Sequence, residues 1–142
     1  MENITKSVLK LYLSKKCVDS LKVDKYGVIG DKYYAKDKNR SVLITSTKSY
    51  DVAKNNTIEI NYGELGENIL VNFDIYTLPI GTIIKIGSAK LQISQNCTLC
   101  NSLSKINPKL PKLLKDDRGI FAFVLEEGEI KQGDNITIEG EN

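Results

Sequence analysis

Short runs in which apolar and polar residues alternate recur along the whole chain. This pattern is typical of β-strands that bury one face and expose the other. In residues 89–94, for example, the apolar side chains fall at every second position. Runs rich in β-branched or aromatic residues and bounded by Gly, Asn, Asp or Pro predict strands at Ser7–Leu13, Ser41–Ser46, Thr57–Ile60, Asn68–Val71, Thr82–Ile86, Ala89–Ser94, Gly119–Leu125 and Asn135–Ile138. Between two of these strands, Gly87-Ser88 predicts a two-residue hairpin turn.

Helix signals are weaker and are confined to connections. They predict short helices at residues 47–54, 98–105 and 108–115, the last of which begins near a proline. Regularly spaced short strands with small helical insertions favour a closed or nearly closed β-barrel, because closure removes exposed sheet edges. We therefore predict a mainly β fold of this type with a few short helices, forming one domain over residues 1–142.

The amino-acid composition limits the kinds of catalytic and metal site that the chain can form. The 142 residues include no His, no Trp and one Met. Without His, the chain cannot build a Ser-His-Asp or Cys-His catalytic set, or a His-ligated zinc or haem site, from its own residues. Any catalysis must therefore use Cys, Lys, Arg, Asp, Glu, Tyr, backbone amides or a bound cofactor.

The cysteines and the apolar runs predict the compartment. Three cysteines are an odd number, and the first residues, MENITKSVLK, lack the apolar segment of a signal peptide. No run approaches the roughly 18–20 consecutive apolar residues of a membrane span. We expect a soluble, cytoplasmic protein with reduced thiols and no membrane partner.

Charge is unevenly distributed although the net charge is only +2. Residues 1–54 carry 12 Lys and Arg against 6 Asp and Glu, whereas residues 55–142 carry 8 against 12. Near Gly27–Asp31 the basic residues are Lys32, Lys36, Lys38 and Arg40. They are either a solvated surface or an anion site near residues 30–40. The small net charge argues against a nucleic-acid partner.

The Cys97-Thr98-Leu99-Cys100 segment follows a predicted strand and precedes a predicted helix. A helix N-terminus lowers the pKa of a thiol and so favours the reactive thiolate. Structural zinc is disfavoured because Cys17 supplies only a third thiolate. The spacing of the two cysteines would allow a thioredoxin-like dithiol, but the surrounding sequence lacks the βαβ pattern that such a site requires. The remaining alternative is that these cysteines are small buried hydrophobic residues.

Three glycine-containing turns are candidates for ligand binding. In Gly63–Asn68, glycines allow close approach of a ligand and Asn68 offers an amide. Arg118 could offer its guanidinium to a phosphate. The Gly27–Lys32 turn lacks the spacing of a dinucleotide-binding loop, and no Walker sequence is present.

Taken in order, these clusters resemble the MOSC domain, the family named after the C-terminal domain of molybdenum cofactor sulfurases. The resemblance extends over about residues 5–138. It is carried by Gly27–Asp31, Arg40–Ile44, Gly63–Ile69, Leu78–Thr82, Cys97 and Cys100, Arg118–Ala122 and Gly128–Asp134. It is strongest with the small stand-alone members.

The resemblance implies a mainly β barrel that binds a pterin-type molybdenum cofactor or carries sulfur for it. Cys100 would be the thiolate ligand of molybdenum or the persulfide carrier, Cys97 an accessory cysteine, and Cys17 a structural residue. The family's histidine after the Gly-Asp pair is replaced by Tyr33 and Tyr34. For cofactor contacts we expect Lys32, Arg40, Asn68 and Arg118, because a phosphate requires a basic, amide-rich cradle. We also expect Cys97 to contact the cofactor.

Three functional hypotheses follow. The first is a molybdenum-cofactor-binding or sulfur-carrier protein in cofactor biosynthesis, handover or maturation, whose partners are biosynthetic proteins or molybdoenzymes. The second is a molybdenum-dependent reductase of N-hydroxylated bases or related compounds. It would need a separate redox partner, because the chain lacks a ferredoxin-like cysteine set. The third is a non-catalytic barrel that binds an anion or a partner.

Overall fold

The computed structural model describes residues 5–98 and 101–140. Its strands are β1 (Val8–Leu13), β2 (Lys16–Val18), β3 (Ser20–Asp24), β4 (Gly27–Val28), β5 (Val42–Ser46), β6 (Ile69–Val71), β7 (Ile83–Ile86), β8 (Ala89–Asn96), β9 (Ile120–Glu126), β10 (Gly128–Lys131) and β11 (Ile136–Ile138). Its α-helices are α1 (Thr47–Asn55), α2 (Asn101–Ile106) and α3 (Leu110–Leu113), and 3₁₀ turns lie at Lys38–Arg40 and Ile75–Thr77. The chain is therefore mainly β with a few short helices, as predicted.

The strands form two sheets. The larger has the order β11-β7-β8-β9-β5-β6-β1-β2, and the smaller has the order β10-β3-β4. Backbone hydrogen bonds also join the start of β1 to the chain just before β11, where Val8 N–H donates to the Asp134 carbonyl at 2.9 Å. Strands β2 and β11 nevertheless remain the open ends of the larger sheet. The predicted closed or nearly closed barrel is therefore not confirmed.

The main core lies between the two sheets. Apolar side chains of β3, β4 and β10 belong to the same buried cluster as those of β1, β5, β7, β8, β9 and β11. In β8 the odd-numbered residues from Ala89 to Ile93 are buried while the intervening residues are partly exposed. Strands β7 and β8 are joined by the two-residue turn at Gly87-Ser88, and Gly87 has a φ of +58°. The alternation and the hairpin predicted from the sequence are both confirmed.

A second core lies on the other side of β6. Ile69 and Val71 contribute to the main core, whereas Leu70 packs in a smaller cluster with residues of α1, α2 and α3. Helix α1 begins after Ser46, whose side chain accepts a hydrogen bond from Lys48 N–H at 3.0 Å. The described helices are short, and none has the length and apolar character needed to cross a membrane.

The segment Thr57–Ile60 is not a strand, so that prediction was wrong. It continues the end of α1, where Ile58 N–H donates to the Ala53 carbonyl at 2.9 Å. Thr57 has a φ of +59°, which turns the chain away from the helix axis. Ile58 is buried in the second core. The β-branched residues therefore serve a helix exit and a hydrophobic contact rather than a sheet.

Strands β2, β3, β4 and β10 were missed by the sequence analysis. They have two to five residues, and they carry lysines, acidic residues or glycine, which weaken the strand signal. Their pairing holds them in place: β3 lies between β10 and β4 in the smaller sheet. Pairing with neighbouring strands therefore stabilises these short segments, whose local strand propensity is weak.

Candidate functional site

A cavity of about 340 Å³ opens at one edge of the structure. Its wall is made from the turn between β1 and β2, the loop after β4, the turn before β5, the loop before β6, and the chain at the end of β8 and the start of β9. Loops from six places in the sequence therefore meet around one concave surface. Such a size is at the lower end of that of small-molecule sites, about 300–1,000 Å³.

All the described residues that were predicted to contact a cofactor line this cavity: Lys32, Arg40, Asn68, Cys97 and Arg118. They come from both halves of the sequence, and the fold brings them together. Cys100, the predicted metal ligand or sulfur carrier, lies outside the described residues. Cys17 is exposed on β2 and does not line the cavity.

The mouth of the cavity is basic. Lys15, Lys32, Lys36 and Arg40 are all exposed, and we call these four residues the rim. Lys32 Nζ lies 5.0 Å from the centre of the Tyr33 ring, and the Arg40 guanidinium lies 5.8 Å from that of Phe121. Arg40 also forms a long ion pair of 4.0 Å with Asp37. These weak contacts leave the rim able to attract an anion.

The inner wall contains buried polar side chains. Glu67, Asn68, Cys97 and Arg118 are between 1% and 7% exposed, and we call these four residues the floor. Arg118 lies just before Gly119, whose φ of +154° leads into β9. Buried charged side chains are uncommon and are normally paired or functional.

The Asn68 amide is engaged within the protein. Its Oδ1 accepts a hydrogen bond from Leu43 N–H at 3.0 Å. Its Nδ2 donates to the Tyr12 carbonyl and to Asp31 Oδ1, each at 3.3 Å. Asn68 was predicted as a cofactor contact; in the structure its amide joins β1, β5 and the loop after β4.

Asp31 is a residue of the site that the sequence analysis missed. Besides Asn68, it accepts hydrogen bonds from Ser14 N–H at 2.8 Å and from Tyr33 N–H at 3.1 Å. Ser14 and Lys15 both have positive φ angles, 47° and 72°, which side-chain-bearing residues rarely adopt. Asp31 therefore fixes a strained turn that carries one rim lysine. The signal in the sequence was the Gly30-Asp31 pair, which was noted as a turn and as part of the family resemblance, but Asp31 itself was not named as a site residue.

Glu67 is the second missed residue. Its Oε2 accepts hydrogen bonds from Thr45 Oγ1 at 2.6 Å and from the Tyr50 hydroxyl. The Tyr50 oxygen in turn accepts from Gly63 N–H at 3.0 Å. Burial, together with the negative charge of Glu67, raises the pKa of Tyr50 far above its ordinary value. Burial and the same charge also raise the pKa of Tyr12 to about 12.

A family model for the MOSC domain matches residues 30–137, which include most of the cavity wall. The chain belongs to the MOSC domain family. The resemblance noted in the sequence is thereby confirmed. No curated protein matches the chain.

Solved structures share the fold of this MOSC domain. YuaD from Bacillus subtilis superposes with a TM-score of 0.83 at 22% identity, over 94% of each chain. YiiM from Escherichia coli has a TM-score of 0.78 at 18% identity, over 99% of this chain and 72% of its own. YiiM from Geobacillus stearothermophilus has a TM-score of 0.77 at 19% identity, over 94% and 74%. Identities this low establish a common fold.

The donor set of the MOSC domain bears on whether a metal cofactor fits. Within residues 5–98 and 101–140, no group of three or more Cys, Asp or Glu side chains could hold a metal ion by itself. Cys97 lies in the cavity wall, and its N–H donates to the Gly119 carbonyl at 2.9 Å. A metal that arrives with its own sulfur ligands would need only one thiolate from the protein.

Proposed function

We propose that this MOSC domain binds the molybdenum cofactor, or carries sulfur for it, during cofactor biosynthesis, handover or maturation. The observation that carries the proposal is the cavity. Most of its lining lies within residues 30–137, which match the family model, and it combines exposed cations with the buried Arg118 and the thiol of Cys97. Family membership supports the choice of cofactor. The cofactor would supply the molybdenum together with the pterin sulfurs that bind it.

The chain's own residues fit the two chemical ends of such a ligand. The rim cations would attract the cofactor's phosphate, since Lys and Arg bind phosphate through charge and hydrogen bonds. Arg118 would hold it deeper in the cavity, where lower dielectric strengthens the attraction. The residues present therefore fit the group.

The thiol completes the proposal. Cys100 would act as the thiolate ligand or as the carrier of one sulfur atom held as a persulfide, and Cys97, which lines the cavity, would be the accessory cysteine. A thiol in this role must stay reduced until it is used, which favours action in the cytoplasm. The partners would be proteins of cofactor biosynthesis or a recipient molybdoenzyme.

The test uses protein expressed in a host that makes the cofactor and purified without oxygen. Molybdenum is measured by elemental analysis, and pterin by fluorescence after oxidation, in wild type, Cys100→Ser and Cys97→Ser. Cys17→Ser is the matched control because Cys17 is an exposed thiol outside the cavity. We expect molybdenum and pterin in wild type and in the control, and a loss in Cys100→Ser.

The sulfur-carrier form is tested by mass spectrometry of the intact protein. One added sulfur atom on Cys100 would raise the mass by roughly 32 Da, and reductant would remove it. Wild type that contains neither molybdenum, pterin nor this persulfide would overturn the proposed function.

A further inference from the structure

The turn between β1 and β2 consists of two residues in an unfavourable backbone conformation. Leu13 pairs with Lys16, so Ser14 and Lys15 alone make the turn. Their φ angles, 47° and 72°, are both positive, and a two-residue turn of this kind is normally made by Asn-Gly. Residues that carry a side chain are strained there, and such strain is concentrated at functional sites. Glycine would suit the position of Lys15 better, yet the chain has a lysine.

The Asp31 carboxylate holds this turn against the loop after β4. Its Oδ1 accepts hydrogen bonds from Ser14 N–H at 2.8 Å and from the Ser14 hydroxyl at 3.4 Å. The Ser14 oxygen in turn accepts a hydrogen bond from Lys32 N–H at 2.9 Å. Lys15 and Lys32 therefore leave the cavity wall from adjacent points of the backbone.

Both lysines are available to a ligand at the mouth of the cavity. Lys15 and Lys32 are exposed, and both line the cavity. Within residues 5–98 and 101–140, neither ammonium group forms an ion pair with a carboxylate. Two cations on adjacent backbone repel each other, and an anion bound to both would relieve this repulsion.

We propose that Lys15 and Lys32 form the phosphate-binding end of the cavity, and that Asp31 and Ser14 position them. The ligand class is a small molecule with a phosphate monoester, whose double negative charge matches two cations. The strain at Lys15 is then explained, because glycine would make a more favourable turn but no contact with the ligand. This inference rests on the proposed function and deepens it, because it locates the cofactor's phosphate at the turn between β1 and β2.

The experiment titrates the purified full chain, made in a host that lacks the cofactor, with inorganic phosphate or glycerol 3-phosphate at low salt. Backbone amide signals are followed by NMR, and chloride at the same ionic strength is the control for screening. We expect saturable shifts at residues 14–15 and 31–33 with the phosphate compounds alone, and glycerol 3-phosphate at least as tightly bound as inorganic phosphate. The absence of saturable shifts would overturn the inference, and tighter binding of inorganic phosphate would overturn the ligand class.

Lys15→Gly separates binding from structure, because it removes the cation and the backbone strain together. We expect the affinity for glycerol 3-phosphate to fall roughly fivefold or more, while the unfolding temperature stays the same or rises. Unchanged affinity would show that the lysine does not bind the phosphate. A lower unfolding temperature would show that the lysine supports the turn itself. Either result would overturn the inference.

Two matched controls isolate the two effects of that substitution. Thr57→Gly removes the strain at another positive φ, 59°, outside the cavity, and should leave the affinity unchanged. Lys16→Ala removes an exposed cation that does not line the cavity, and should weaken binding by less than about twofold. A loss in Lys16→Ala as large as that in Lys15→Gly would indicate attraction by overall charge and would overturn the assignment to Lys15.

Asp31→Asn tests the positioning role, because charge and position predict opposite results. Removing a negative charge from the cavity wall would by itself strengthen phosphate binding. Asparagine has a single side-chain oxygen, so it cannot accept from Ser14 N–H and Tyr33 N–H with separate oxygens as Asp31 does. We expect weaker binding, and a smaller effect of the substitution when Lys15→Gly is already present. Stronger binding, or equal losses in the two backgrounds, would contradict the positioning role.

These measurements do not require molybdenum. Wild type that contains molybdenum and pterin but shows no saturable phosphate binding would contradict this inference and leave the proposed function standing. Wild type that binds phosphate through Lys15 but contains neither molybdenum, pterin nor persulfide would contradict the proposed function and support this inference.

Discussion

The rim and the floor of the cavity both consist of polar residues, but they differ in how the protein holds them. Rim cations are exposed and make long or weak contacts, such as the 4.0 Å pair between Arg40 and Asp37. Floor residues are buried, and Asn68 alone makes three hydrogen bonds to separate parts of the chain. The rim is thus suited to attract a ligand, whereas the floor contributes to both the fold and the shape of the site.

The sharpest test of this difference is Asn68→Ala. The substitution leaves Leu43 N–H and the Tyr12 carbonyl without their side-chain partner in a buried region. We expect the free energy of unfolding in urea to fall by about 2–4 kcal/mol. Asn61→Ala, which removes one exposed hydrogen bond of 3.3 Å to Glu64, should lower it by less than about 0.5 kcal/mol. Equal losses in the two variants would refute the contrast.

A pair of glycines tests how tightly the wall behind the floor is packed. Gly63 and Gly66 both have positive φ angles, 93° and 83°. A Cβ at Gly63 would lie 2.7 Å from Tyr12 Cε1, whereas one at Gly66 would have nothing within 4 Å. Alanine at either position should lower the free energy of unfolding by about 1 kcal/mol through backbone strain. The clash should make Gly63→Ala a further 1–3 kcal/mol, roughly, less stable than Gly66→Ala in thermal or urea unfolding.

The fall of the unfolding free energy at alkaline pH should depend on Tyr12, whose carbonyl accepts a hydrogen bond from Asn68 in the floor. Its pKa is about 12 in the folded protein, against about 10 in an unfolded chain. The neutral phenol therefore stabilises the fold below about pH 10, and this contribution is lost as pH rises to about 12. We expect Tyr12→Phe to flatten the fall of the unfolding free energy over that range. The unfolding free energy is measured by urea titration at several pH values. If it falls with pH as steeply in Tyr12→Phe as in wild type, the prediction is contradicted.

The smallest effect on stability is expected at the rim. Lys32→Ala and Arg40→Ala should each change the free energy of unfolding by less than about 0.5 kcal/mol, because both side chains are exposed. Their effect should appear instead in phosphate binding, which should weaken and lose part of its dependence on salt concentration. A rim variant that unfolds as readily as Asn68→Ala would remove the distinction between rim and floor.

Much of the larger sheet could be predicted because its strands carry their own pattern. Alternation marks β8, and Gly87 marks its hairpin, without reference to the rest of the chain. The smaller sheet could not be predicted in this way, because strands such as β4 have two residues and depend on pairing. The prediction for Thr57–Ile60 failed because tertiary structure overrode local preference. Its residues favour strands, but the segment packs against the end of α1 and is hydrogen-bonded to it.

The same division holds for the site. Cations and thiols are recognisable by residue type, so Lys32, Arg40, Arg118 and Cys97 could be nominated from the sequence and all line the cavity. Asp31 and Glu67 could not, because an acidic residue in a turn is ordinary. Their distinguishing property is burial against partners such as Thr45, 22 residues away from Glu67, and only the folded chain supplies it.

Strand β6 connects the two hydrophobic clusters, since Ile69 and Val71 belong to one and Leu70 to the other. It also runs parallel to β5 and antiparallel to β1, so its backbone is paired on both sides. An amide proton here lies between two paired strands and beneath both clusters, so it reaches solvent only when this packing opens. Hydrogen exchange at Leu70 should therefore be among the slowest in the chain and should track complete unfolding, whereas β2, at the sheet edge, should exchange through local opening.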